Sequence, residues 1–189
     1  MCCRFYTDEE SDNETLRYAI DTLRTAGKAV TVGDVCPSNT AAVLANNRSL
    51  KMQPFAMNWG YHLPSGSLLI NTRSETASQK PMFAESMEKH RCIIPCSSYY
   101  EWQKSGKEKI KYKLSVADSN AVFLAGIYRI EHRAPVFSVL TKEPVESIAF
   151  IHNRMPVLLP EEAIKDWLNL DFKAEEVLQN AVGDMVYSV

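Results

Sequence analysis

The spacing of apolar and polar positions changes period several times along the chain. Over residues 15–25, Leu16, Ala19, Ile20 and Leu23 recur at three- and four-residue steps, which predicts a helix with one buried stripe. Asp12 or Asn13 is available as its N-cap and Gly27 as its stop. Residues 30–35 read as a short strand, and the turn Cys36-Pro37-Ser38-Asn39-Thr40 leads into an apolar run over 41–44. Asn46-Asn47-Arg48-Ser49 is a second turn. Residues 55–62 are rich in aromatics and broken by Gly60, and a strand over 68–70 follows the turn Pro64-Ser65-Gly66. A helical pattern from Ser74 runs through Phe83, Met87 and His90. The 91–95 stretch reads as buried strand, followed by the small-residue turn Cys96-Ser97-Ser98.

Period two returns beyond the turn Lys104-Ser105-Gly106. Ile110, Tyr112 and Leu114 alternate with Lys109, Lys111 and Lys113, the pattern of a hairpin strand with one wet face and an edge that lysine protects. A phosphate-binding surface is the secondary reading of these lysines. Further strands are predicted over 121–127 and 135–140, the latter ending at Thr141. His152-Asn153-Arg154-Met155-Pro156 interrupts an apolar run over 148–159. Two helices follow: one starts at Pro160 with Ile164, Trp167 and Leu168 on its apolar face, and one covers 173–181. A last strand covers 185–189.

Composition narrows the class. At 189 residues with 46% hydrophobic and 23% charged residues, the chain reads as one domain that buries its own core. Its formal net charge of −2 gives no global attraction to polyanions, so a nucleic-acid partner requires a locally basic groove. No export signal and no membrane span is read, and five cysteines in such a chain argue against a disulfide framework. No metal site is expected either. Cys92 and Cys96 lack zinc-knuckle spacing, and Ile93, Ile94 and Pro95 between them read as buried strand.

Several positions carry candidate chemistry. Cys2 is small enough for an initiator methionine to be trimmed before it, which leaves an α-amine and a thiol on adjacent carbons. Such a pair condenses with one aldehyde: the amine forms an imine, and the thiol closes on it as a five-membered thiazolidine. The same terminus can act as an N-terminal nucleophile on amides, and an incidental cysteine after the start is the third reading. Asn71-Thr72-Arg73-Ser74-Glu75-Thr76 is either a polar mouth on a buried strand or a helix cap. Glu101, between Tyr100 and Trp102, is either a surface acid or a desolvated carboxylate suited to proton transfer. His152 is either a core residue or a proton carrier.

Taken together, Cys2 followed by Arg4, the 71–76 segment, Arg91-Cys92-Ile93-Ile94-Pro95 leading to Tyr99-Tyr100-Glu101-Trp102, and the 152–156 motif resemble the SOS response-associated peptidase (SRAP) family, from Cys2 to about Pro156. The resemblance implies an α+β fold: a single SRAP-like domain over residues 1–189, with a mainly antiparallel, barrel-like sheet, peripheral helices and a basic cleft for single-stranded DNA. It implies that Cys2, once Met1 is removed, crosslinks to the ring-opened aldehyde of an abasic site as a thiazolidine, with weak abasic-site lyase activity as a side reaction. Asn71 is expected to orient the terminal amine or the sugar, Glu101 to move protons at both, and His152 to act on the imine and the sugar oxygen. Arg4 and Arg73 are expected at phosphates, with Thr141 as a further phosphate contact. Trp59 is expected against bases, or in the core.

No cofactor is expected, and the implied partner is single-stranded DNA containing abasic sites. A monomer is expected, cytosolic and nucleoid-associated, or nuclear in a cell with a nucleus. The residues leave open a thiol peptidase built on Cys2 and a non-catalytic DNA-binding module that keeps Met1. Position 3, usually glycine in the family, is Cys3 here, and Asn153 stands where aspartate is frequent.

Overall fold

The computed structural model describes residues 2–106 and 108–189. Met1, whose removal the thiazolidine chemistry needs, and Lys107, one of the five lysines over 104–113, lie outside the described residues. In chain order, β1 (Phe5–Thr7) is followed by α1 (Glu14–Thr25), β2 (Gly33–Val35), β3 (Thr40–Asn46) and β4 (Met52–Trp59). A small hairpin, β5 (Tyr61–His62) with β6 (Leu68–Leu69), leads to β7 (Asn71–Arg73), α2 (Ser74–Ala77) and α3 (Pro81–Lys89). Five longer strands come next: β8 (Arg91–Cys96), β9 (Ser98–Ser105), β10 (Glu108–Val116), β11 (Val122–Glu131) and β12 (Ala134–Lys142). The chain ends with β13 (Met155–Pro156), β14 (Leu158–Leu159), α4 (Ile164–Leu168), α5 (Ala174–Leu178) and β15 (Met185–Ser188).

Strands β12, β4, β3, β8 and β11 are hydrogen-bonded in that order, and β11 pairs back onto β12, which closes a five-stranded barrel. All of its pairings are antiparallel except β4 with β12. One edge of β12 is shared. Val136 and Phe137 pair with Asn58 and Trp59 of β4, and Val139 to Thr141 pair with Asn71 to Arg73 of β7. The chain therefore leaves the barrel at Gly60, makes the β5–β6 hairpin and returns to the same edge, which is how Asn71 reaches the end of the barrel. Gly60 allows this break: its φ is +118°, and a Cβ there would lie 3.0 Å from Leu68 Cβ. Gly126 serves packing instead, since a Cβ would meet Ile94 Cδ1 at 2.7 Å.

Alternate residues of the barrel strands feed two apolar clusters. Leu44, Ile93, Phe123 and Leu140 pack with the stripe of α1 and with Phe83, Met87 and Trp167 of α3 and α4. Val43, Ile94, Leu124 and Phe137 pack with Phe5, Tyr99 and Leu114 of the second sheet. Strands covered on both faces read as continuous apolar runs, which is why 41–44 and 91–95 show no alternation. The helical stripe over 15–25 is found as predicted, and Asn13, not Asp12, is the cap, its Oδ1 accepting from Leu16 N–H at 2.9 Å.

The second sheet has the order β15-β10-β9-β1-β2, antiparallel throughout. It refines two expectations. The lysine strand β10 runs along β9 on one side, but β15 covers its other side only from Lys113 to Val116, so among the described residues Lys109 and Lys111 lie on an open edge, as expected, while Lys113 does not. The expected strand over 30–35 shortens to Gly33–Val35, because the backbone before it turns to bond across to Thr40, with Thr31 N–H donating to Thr40 O at 2.8 Å.

Candidate active site

The N-terminal segment is tied along β9. Phe5 faces Tyr99 and Tyr6 faces Ser98, Tyr100 N–H donates to Arg4 O at 2.9 Å, and Ser97 N–H donates to Tyr6 O at 2.8 Å. Continued by two residues, this register sets Cys3 opposite Glu101. Alternation along β9 then sorts the side chains. Tyr99 and Glu101 point toward the barrel and are buried, while Tyr100 and Trp102 point away and are half-buried. A cleft of about 660 Å³ opens at the end of this sheet; Cys3, Arg4, Glu101, Trp102, Lys104, Lys109 and His152 line it.

Burial sets the electrostatics. Glu101 is 4% exposed, and desolvation raises its carboxyl above the usual carboxylate range. Cys2 is fully buried, and burial together with the Glu101 carboxylate raises its thiol well above the ordinary value. The Cys2 S–H donates to Arg4 O at 3.6 Å. Asn71, at the start of β7, donates from Nδ2 to Cys2 O at 2.8 Å, and its own Oδ1 is buried with no hydrogen-bond partner among the described residues. Tyr99 presents a second orphan. Its hydroxyl is likewise buried with no partner among the described residues, and burial, with the Cys2 and Glu101 charges, raises its pKa.

His152 lies in the loop before β13. Its Nδ1 accepts from Arg154 N–H at 3.0 Å, so the neutral ring carries its proton on Nε2. Partial burial lowers its pKa below the ordinary histidine value, which keeps the ring neutral at pH 7. Of the two arginines expected at phosphates, Arg4, just before β1, lines the cleft, and Arg73 does not. Arg4 lies over the Trp102 ring at 5.7 Å and bonds Asp34 at 3.2 Å, and Arg73 is exposed at the end of β7. Among the described residues no group of three or more His, Cys, Asp and Glu side chains is arranged to hold a metal ion.

The structure brings Cys2, Asn71, Glu101, His152 and Arg4 to one end of the molecule. Two expected DNA contacts are corrected. Trp59 is fully buried, its ring 5.0 Å from Phe5 and 6.0 Å from Phe137, with Nε1 donating to Ile70 O at 3.0 Å. An indole enclosed in this way stacks on core rings, not on bases. Thr141 is also fully buried, its hydroxyl 3.4 Å from Thr72 O and its carbonyl accepting from Arg154 Nη2 at 2.6 Å, so it does not reach a phosphate. Sequence reasoning passed over Trp102, whose half-buried ring lines the cleft. It also passed over Arg154, which grips Glu75 through both Nη atoms at 2.7 and 2.8 Å. The alternation around Glu101 was the signal for Trp102; no local signal marked Arg154.

A family model described as SOS response associated peptidase (SRAP) matches residues 1–187. The chain is 33% identical over 181 residues to the abasic site processing protein YoqW of Bacillus subtilis (strain 168), covering 89% of this chain and 80% of that protein. It is 27% identical over 154 residues to the abasic site processing protein YedK of Escherichia coli (strain K12), covering 78% and 69%. A crystal structure of a protein from Bacteroides thetaiotaomicron shares the fold with a TM-score of 0.74 at 22% identity, over 98% of this chain and 90% of that one.

Proposed function

The chain belongs to the SOS response-associated peptidase (SRAP) family, and from that membership and the cleft around Glu101 we propose that it processes abasic sites in single-stranded DNA by forming a covalent thiazolidine crosslink through Cys2. The observation that carries this reading is the 2.8 Å bond from Asn71 Nδ2 to Cys2 O. It anchors the second residue beside a buried carboxyl, a placement that an incidental cysteine does not need.

The chemistry follows in steps. Removal of Met1 turns the Cys2 amide nitrogen into an α-amine whose ordinary pKa of about 7.7–8.0 leaves a neutral fraction at pH 7. That amine adds to the aldehyde of the ring-opened deoxyribose, and loss of water gives the imine. The thiol then adds across the C=N bond, its sulfur to carbon and its proton to nitrogen, to close the thiazolidine. Glu101, whose burial raises its pKa above the usual carboxylate range, holds a proton more readily than an exposed glutamate and gives it to the departing water. His152, neutral with Nε2–H, donates a hydrogen bond to the sugar oxygen. Asn71 Oδ1, a buried acceptor with no partner among the described residues, suits an N–H of the freed amine. Arg4 and Arg73 meet flanking phosphates. An imine that is not trapped loses the 3′ phosphate by β-elimination, which gives weak lyase activity.

The test mixes protein of verified intact mass, lacking Met1, with a single-stranded oligonucleotide carrying one abasic site, beside a Cys2→Ala variant. A heat-stable shifted band from the wild type that vanishes in the variant is expected. No band from fully processed wild type overturns the reading.

A further inference from the structure

We propose that the outward face of the second sheet, beyond the cleft, is a track for the single-stranded DNA that flanks the abasic nucleotide. This rests on the proposed function and extends it from the damaged nucleotide to its neighbours. The face is built by register. Lys113 is paired across the strands with Tyr100 and Lys111 with Trp102, so rings and cations alternate on one surface. Lys111 Nζ sits 3.8 Å above the Tyr100 ring, Lys113 Nζ 5.6 Å from Tyr6, and Arg4 5.7 Å from Trp102. The last of these pairs also lines the cleft, so the surface is continuous with it.

Simpler explanations do not account for this face. Edge protection does not apply to Lys113, which β15 covers, and for Lys111, on the uncovered stretch of β10, it does not explain the seat over the Tyr100 ring. Surface ion pairing does not apply either: among the described residues neither Lys111 nor Lys113 has an ion-pair partner. The acid that faces this surface from β2 is Asp34, opposite Tyr6 and bonded to Arg4. In a chain of net charge −2, a face with three cations, Arg4, Lys111 and Lys113, to the one acid Asp34, interleaved with half-buried rings, matches a polymer that offers a phosphate and a planar base at every step. Stacking on such rings is indifferent to sequence, as a damage sensor requires.

The test measures binding to unmodified single strands by fluorescence anisotropy, with oligonucleotides of about 4 and about 16 nucleotides, the range of single-strand site sizes. Wild type gains affinity with length. The Lys111→Glu, Lys113→Glu double variant loses about tenfold on the long strand, less on the short one, and its salt slope falls by about 1.4. Lys111→Arg with Lys113→Arg restores the length dependence. An equal loss on both lengths, or none on the long strand, overturns the track. Crosslinking of a short abasic oligonucleotide by wild type tests the proposed function separately, because the binding assay needs no abasic site.

Discussion

The two faces of β9 and β10 are built from adjacent residues and do opposite things. Tyr99, Glu101, Tyr112 and Leu114 point into the barrel side and are buried; Tyr100, Trp102, Lys111 and Lys113 point out and stay accessible to solvent. Moving one position along β9 takes a carboxyl from water into a site that raises its pKa. A slip of one residue in register would exchange the faces, putting lysines into the core and Glu101 into solvent. The proposed chemistry and the proposed binding thus lie on opposite sides of the pleat of a single hairpin, and the N-terminal segment, bonded to the same β9, holds Cys2 buried near Glu101.

The largest expected effect falls on the buried side. Trp59→Ala removes a ring held between Phe5 and Phe137 and should cost about 3–5 kcal/mol in urea unfolding. Normal stability with lost DNA affinity would return Trp59 to the binding surface. Glu101→Gln should slow crosslinking by about 10²-fold or more in single-turnover assays. It should also change the pH dependence of folding. A raised native pKa means the native state holds its proton more tightly, so wild-type stability falls as pH climbs from the ordinary glutamate range through the raised value. The glutamine variant should lack that fall in urea titrations across the window, and an unchanged fall would assign it to another group.

On the wet side the expected effects are smaller and of a different kind. Trp102→Ala should weaken single-stranded DNA binding by about 1–3 kcal/mol while shifting the unfolding midpoint little. A large stability loss instead would make Trp102 a packing residue. The smallest effect belongs to Thr141→Val, which removes two 3.4 Å contacts and should cost about 1 kcal/mol of stability or less. Its affinity for single-stranded DNA should stay at the wild-type value, whereas loss of a hydroxyl–phosphate hydrogen bond would weaken binding by about 1 kcal/mol.

Elements whose pattern is local are legible in the order of residues. The α1 stripe, the 91–95 strand and the lysine alternation of β10 each appear where residue spacing puts them. Roles that depend on a neighbour distant in sequence are not legible in this way. Trp59 lies in an aromatic, glycine-broken stretch that looks like a surface loop, yet Phe5 and Phe137, far away in the chain, enclose it. Lys113 looks like an edge guard because the partner that covers it is the last strand, β15, which pairs with β10 only from Lys113 to Val116.

Spacing and functional groups are enough to specify the strands, the helical stripe, the motifs that resemble one family and the residue types able to trap an aldehyde. Chain folding adds the rest: Glu101 is desolvated, Asn71 holds Cys2, Thr141 and Trp59 are buried, and the lysines share a face with Tyr100 and Trp102. Desolvation, enclosure and cross-strand register arise between segments far apart in the chain, and no local pattern of residues encodes which segments will meet.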